Sequence, residues 1–157
     1  VVPDKIGARL LLIANHLIQG LGDNLASLIA YGSIVRGGFN PRSSDVNLLI
    51  VLKHSTPEAH TVIQAISAGK LRVDPMVIEH NEIPRAARVF ALKFMSIRRN
   101  CLILHGCDPL ADTQVPDQQL AFLVEQEIRN QRMRLIHAFV MSGKRPRIYS
   151  QYVIHHA

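Results

Sequence analysis

Apolar residues at Ile6, Leu10, Ala14, Leu17, Ile18 and Leu21 recur every three or four positions behind Asp4, the spacing that lines one face of an α-helix. Asp4 is suited to cap the start of that helix, and Gly20 and Gly22 to stop it. Residues 25–31 and 47–53 are short apolar runs rich in strand formers; they are too short for helices of their own and predict buried strands. Thr56-Pro57-Glu58 opens a second helix, with Thr as cap and Pro in the first turn, through Val62, Ile63 and Ile66 to Gly69. Residues 71–78 predict a third strand, and Pro75 within it suits a sheet edge or a bulge. Pro84 starts a further helix with Ala87, Phe90, Ala91, Phe94 and Ile97 as its apolar stripe and Arg98-Arg99 near its C-terminal end. A brief apolar stretch, 101–104, precedes the turn His105-Gly106-Cys107-Asp108-Pro109. From Asp117 a long helix is expected to reach Met141, stopped by Gly143 and Pro146.

Strands and helices mixed in this order predict an α/β (α+β) domain: a small mixed sheet with helices on one face, followed by a helical C-terminal segment. The composition changes at 108–116, which divides the chain into an expected domain at 1–112 and a helical segment at 113–157. The sequence begins without Met and stops inside the pattern 148–157, so the helical segment is expected to be the start of a truncated helical domain. There is no internal repeat and no low-complexity tract.

Composition narrows the choice of partner. With 48% hydrophobic residues in 157, the chain can bury a core of its own. Eighteen Lys and Arg against twelve Asp and Glu give a net charge of +6, a field that favours anionic ligands. Aromatic residues are only 5% and Trp is absent, so stacking platforms for bases are few and nucleic acid is not the expected partner. Arg85, Arg88, Arg98, Arg99, Arg129, Arg132, Arg134, Lys144, Arg145 and Arg147 then read as solvated helix faces. Cys101 and Cys107 lack zinc spacing and read as reduced thiols, and the eight histidines are dispersed or, at His155-His156, adjacent and diverging. No apolar run approaches the ~20 residues that cross a bilayer, and 1–13 lacks the pattern of a signal peptide. A cytoplasmic location is the default expectation.

The candidate chemistry lies between the first two strands. Phosphoryl and nucleotidyl transfer need a held triphosphate, neutralised charge and an acceptor placed in line. Gly32-Ser33 at a strand end offers backbone N–H groups and a hydroxyl to phosphate oxygens, with Arg36 close behind as a cationic contact. Asp45 and Asn47 stand two apart at the start of a strand and therefore point to one face. Asp74, within the third strand, is the best-placed third ligand; Glu79 and Glu82 are weaker candidates. Taken alone, 32–44 is equally a glycine-rich hairpin without a ligand, and Asp45 an ordinary turn carboxylate.

The paired pattern Tyr31-Gly32-Ser33-Ile34-Val35-Arg36-Gly37 and Ser44-Asp45-Val46-Asn47-Leu48 resembles the Gly-Ser and Ser-Asp-x-Asp-Leu motif of the DNA polymerase beta superfamily. It looks most like that superfamily's small bacterial nucleotidyltransferase-domain proteins. Residues 89–94 and 102–110 also resemble a segment found in such proteins, and the resemblance spans roughly 6–140. It implies a nucleotidyltransferase fold, a nucleoside triphosphate held by Gly32, Ser33, Arg36 and Ser44, and Mg²⁺ bound by Asp45, Asn47 and Asp74. Asp45 and Asp74 would be the catalytic carboxylates. The implied reaction moves a nucleoside monophosphate onto a hydroxyl-bearing small molecule or protein. Asn47 departs from the motif: its amide offers one carbonyl oxygen but neither the charge nor the bridging capacity of a carboxylate. The alternative is therefore a catalytically degenerate module of the same fold that binds nucleotide or protein. A homodimer would give a small domain's cleft its second wall.

Overall fold

The computed structural model describes residues 4–40, 44–66, 69, 71–113 and 117–142. The chain divides into two compact units, Val1–Gln114 and Val115–Ala157. In the first, α1 (Asp4–Leu21) leads through a 3₁₀ turn into β1 (Leu25–Tyr31), α2 (Ser33–Arg36), β2 (Val46–Leu52) and α3 (Pro57–Ile66). There follow β3 (Val73–Glu79), a second 3₁₀ turn, α4 (Ile83–Val89), α5 (Ala91–Arg99) and β4 (Cys101–Gly106). The second unit contributes α6 (Asp117–Ser142), carrying an exposed Glu125–Arg129 pair one helical turn apart at 2.6 Å. The stop expected at Gly143 and Pro146, the turn residues Pro41 and Ser43, and the C-terminal pattern 148–157 lie outside the described residues.

The four strands form one sheet in the order β3-β2-β1-β4. β1 pairs antiparallel with both β2 and β4, while β2 and β3 run parallel. This is the mixed sheet the sequence predicts, with Pro75 on an edge strand as expected. The helices, however, cover both faces. Leu28, Ala30, Val46, Leu48, Ile50 and Leu52 pack with α1 and α3, through Leu10, Leu17 and Ile63 among others. Ile29, Tyr31, Leu49 and Val51 alternate to the other side and pack with Ile83, Ala87, Phe94 and Ile97 of α4 and α5, and with Leu110. All five residues of Leu48 to Leu52 are wholly buried. A central strand that is apolar at every position needs cover on two sides, which is why one layer of helices does not suffice. Each such side chain contributes roughly 1.5–3 kcal/mol on burial.

Two local features differ from the pattern reading. The expected helix from Pro84 is broken at Phe90 (φ −109°, ψ 40°), whose N–H still bonds the Ala86 carbonyl at 2.7 Å. Ile83, Ala87, Ala91, Phe94 and Ile97 are the buried series along α4 and α5, and Phe90 is left outside it, 61% exposed. At the far end of β4, Gly106 has φ +75°, and a Cβ there would come within 2.1 Å of the Ala26 carbonyl oxygen. That glycine allows the strand end to close onto β1, where the Ser27 hydroxyl donates to the Cys107 carbonyl at 2.7 Å. Both cysteines are free. Among the described residues no helix is long and apolar enough to cross a membrane.

Candidate functional site

Strand alternation and register assemble the site at one end of the sheet. The side of β1 and β2 that carries Ile29, Tyr31, Leu49 and Val51 faces α4 and α5, and two-residue periodicity puts Asn47 and Asp45 on that side as well. Tyr31 pairs with Asn47, and Asn47 with Asp74, so the three stand in one row across β1, β2 and β3. Neighbouring strands lie about 4.8 Å apart, which brings the Asp74 and Asn47 side chains within reach of one small ion. The burial of Tyr31 and the nearby negative charge of Asp74 push its phenol up to about 12, in keeping with this row.

Two residues back along the β2–β3 pair, Asp45 stands opposite Arg72. The Val46 N–H bonds the Arg72 carbonyl at 2.8 Å, and the Arg72 Nε donates to Asp45 Oδ1 at 2.5 Å. Both side chains are largely exposed, 58% and 43%, so water and salt screen the pair and an anion or cation can exchange with it. The hydrogen bond, and then the charge, of Asp45 raises the guanidinium's pKa above its ordinary value. Pattern reading did not find Arg72. Its spacing of two from Asp74 was the available signal, but which residue it faces depends on a parallel register between strands far apart in sequence.

Gly32 ends β1 with φ +82°, a conformation glycine adopts without strain. A Cβ there would lie 2.7 Å from Asn47 Nδ2, so the absence of a side chain lets the amide sit against the turn. Val35 and Arg36 both donate to the Gly32 carbonyl, and Gly37 to that of Ser33. The N–H groups of Ser33 and Ile34, at the start of α2, have no helical carbonyl to bond by position. Arg36, in the last turn of α2, is exposed.

Ser44 adjoins Asp45 just before β2, and the weaker acidic candidates lie at and beyond the far end of β3. The Ser44 hydroxyl accepts from the Asn40 N–H at 3.2 Å, while its own N–H bonds the Asn40 carbonyl at 2.7 Å, so Ser44 closes the loop that precedes β2. Glu79 and Glu82, the weaker candidates for a third ligand, lie at the opposite end of β3. There Glu79 accepts from Ser55 N–H at 2.6 Å and Glu82 from Glu79 N–H at 3.2 Å. They cap a 3₁₀ turn whose cap residue Glu79 stands five residues along β3 from Asp74, or roughly 17 Å from the Asn47 row.

The donor set can be tested against metal chemistry. Among the described residues no three His, Cys, Asp or Glu side chains are grouped as a metal site. The row and its neighbour offer two carboxylates, Asp45 and Asp74, and one amide oxygen, Asn47. That suits one Mg²⁺ completed by water and phosphate oxygens. With Asn47 neutral, it offers a second ion ~4 Å away one carboxylate fewer than three acids would.

No family model matches this chain, and no curated protein matches its sequence. Solved structures do match. The spectinomycin adenyltransferase from Enterococcus faecialis, solved with ATP and spectinomycin, is 17% identical, with 84% of this chain and 68% of that chain covered and a TM-score of 0.59. A candidate nucleotidyltransferase from Sulfolobus solfataricus is 18% identical over 63% of this chain and 82% of its own, at a TM-score of 0.41. A mutant of the MntA–HpeT toxin–antitoxin pair is 13% identical over 85% and 96%, at 0.46. The likeness to the adenyltransferase, together with the four-stranded mixed sheet and its Gly32-Ser33 turn, establishes a nucleotidyltransferase fold.

Proposed function

Starting from the nucleotidyltransferase fold, we propose that this chain binds a nucleoside triphosphate at Gly32-Ser33 and transfers its nucleoside monophosphate to a hydroxyl-bearing small molecule or protein. The observation that supports the reading is the register that sets Asn47 beside Asp74 in one row, with Asp45 two residues before Asn47 and a glycine turn alongside whose first amides and Ser33 hydroxyl can meet phosphate oxygens. Asp45, Asn47 and Asp74 would hold one Mg²⁺, which supplies charge neutralisation and polarisation of a phosphoryl oxygen. Asp45 would offer its second carboxylate oxygen to the ion while Oδ1 keeps the bond from Arg72 Nε. Arg36 would approach the phosphates from the end of α2. The related fold solved with ATP and a small molecule supports a triphosphate and a small acceptor.

A second reading has its own observation. Asn47 is neutral and Asp45 is already paired with Arg72, which suits a module that holds nucleotide without turning it over. Both readings are tested by titrating each nucleoside triphosphate into the protein with and without Mg²⁺ while following pyrophosphate release. Triphosphate binding should weaken about tenfold or more in Ser33→Ala, the weight of one charge-assisted hydrogen bond. Unchanged affinity in that variant overturns the site. Binding without pyrophosphate release selects the second reading.

A further inference from the structure

Asn47 places a neutral amide beside Asp74, and α5 brings a positive group to Tyr31 of the same row. Lys93 places its Nζ over the Tyr31 ring, 4.9 Å from the centroid. Tyr31 is the β1 neighbour of Asn47, so the ammonium sits over a ring that belongs to the same row of the sheet as Asn47 and Asp74. Lys93 is exposed and makes no ion pair among the described residues. Its ammonium faces the ring of a tyrosine that is itself 6% exposed, and the cation–π contact favours that position of the head group.

We infer that Lys93 is a phosphate-positioning residue of this site, supplying from α5 the positive charge that a second metal ion would bring to a triphosphate. This rests on the triphosphate reading above. A single Mg²⁺ leaves a net negative triphosphate, and its remaining oxygens need a cation that can follow them; an ammonium on a flexible four-carbon stem is such a group. The position also explains why a neutral amide is tolerated at 47. A second bound cation is not required there when one is attached to the neighbouring helix.

The test compares ATP, ADP and AMP binding, in Mg²⁺ and in EDTA, for the wild type, Lys93→Met and Lys93→Arg. Methionine keeps an unbranched side chain of similar length beside Tyr31 without the charge, so a purely packing role leaves binding unchanged. Lys93→Met should lose about tenfold in ATP affinity, less for ADP and nothing for AMP, with Lys93→Arg close to wild type. Adding Asn47→Asp to Lys93→Met should recover ATP affinity in Mg²⁺ but not in EDTA, because a second carboxylate readmits a second ion. The inference is overturned if Lys93→Met binds ATP as the wild type does, or loses ATP and AMP affinity alike. If the wild type binds no triphosphate in either buffer, the triphosphate reading itself fails and the inference with it.

Discussion

Replacing Asn47 by Asp is the sharpest probe of the site, because it changes one charge at nearly constant shape. In the parallel pair Asn47 stands beside Asp74, and adjacent strands place such side chains about 5 Å apart. Two carboxylates at that separation repel by about 1 kcal/mol in water-like surroundings and about 3 kcal/mol at the effective dielectric of a protein surface. Asp74 is exposed, which sets the expectation near the lower figure. The new carboxylate also gives up the amide donor that lies against Gly32. Asn47→Asp should therefore unfold about 4 °C below the wild type in EDTA at low salt. Millimolar Mg²⁺ should reverse the loss and carry the midpoint above its EDTA value, because an ion shared by the carboxylates binds only the folded form. The wild type should respond much less. Thermal unfolding of both proteins in EDTA, in Mg²⁺ and in matched monovalent salt separates site binding from screening. If the variant melts with the wild type in EDTA and gains nothing from Mg²⁺, position 47 does not face a cation site.

Two further predictions concern the frame that holds the site. Gly106→Ala forces a side chain into positive φ and toward the Ala26 carbonyl oxygen, 2.1 Å from the ideal Cβ; denaturant unfolding should register a loss of more than about 2 kcal/mol, and a loss below half of that would mean β4 is not closed on β1 as described. The Tyr31 phenol is raised to about 12 by burial and by Asp74, so the folded state holds its proton where the unfolded chain, near 10, has lost it. The stability this confers is complete below pH 10 and is lost as pH climbs from about 10 to 12. Tyr31→Phe should flatten that decline in unfolding titrations, and an identical slope in both proteins would refute the assignment.

Much of this architecture can be read from residue spacing. The α1 stripe at Ile6, Leu10, Ala14 and Leu17, and the short runs that become β1 and β2, state their secondary structure through local period alone. Asp45 and Asn47 are legible for the same reason, since two residues apart on a strand means one face. Cover on both faces was encoded in the unbroken apolarity of Leu48 to Leu52, but its meaning depends on where the flanking helices return, which no local period contains. Arg72 is harder still. Its contact with Asp45 spans 27 positions and exists only because β2 and β3 run parallel in one particular register. Lys93 looks like any exposed helix lysine until β1 and α5 are packed and Tyr31 is found beneath it.

Pro75 carries a consequence for how this molecule meets its neighbours. The bond from Val46 N–H to the Arg72 carbonyl fixes the phase of the β2–β3 ladder, so that residues 72, 74 and 76 turn their backbone groups inward and 73, 75 and 77 turn theirs outward. The outward set is therefore missing a donor at Pro75, at its centre. A strand arriving from another molecule would leave a carbonyl unanswered there, and sheet extension along this margin is discouraged. The side chain of Asp74 thus stands at a rim that other chains have little reason to cover, and the approach to it stays open to small solutes.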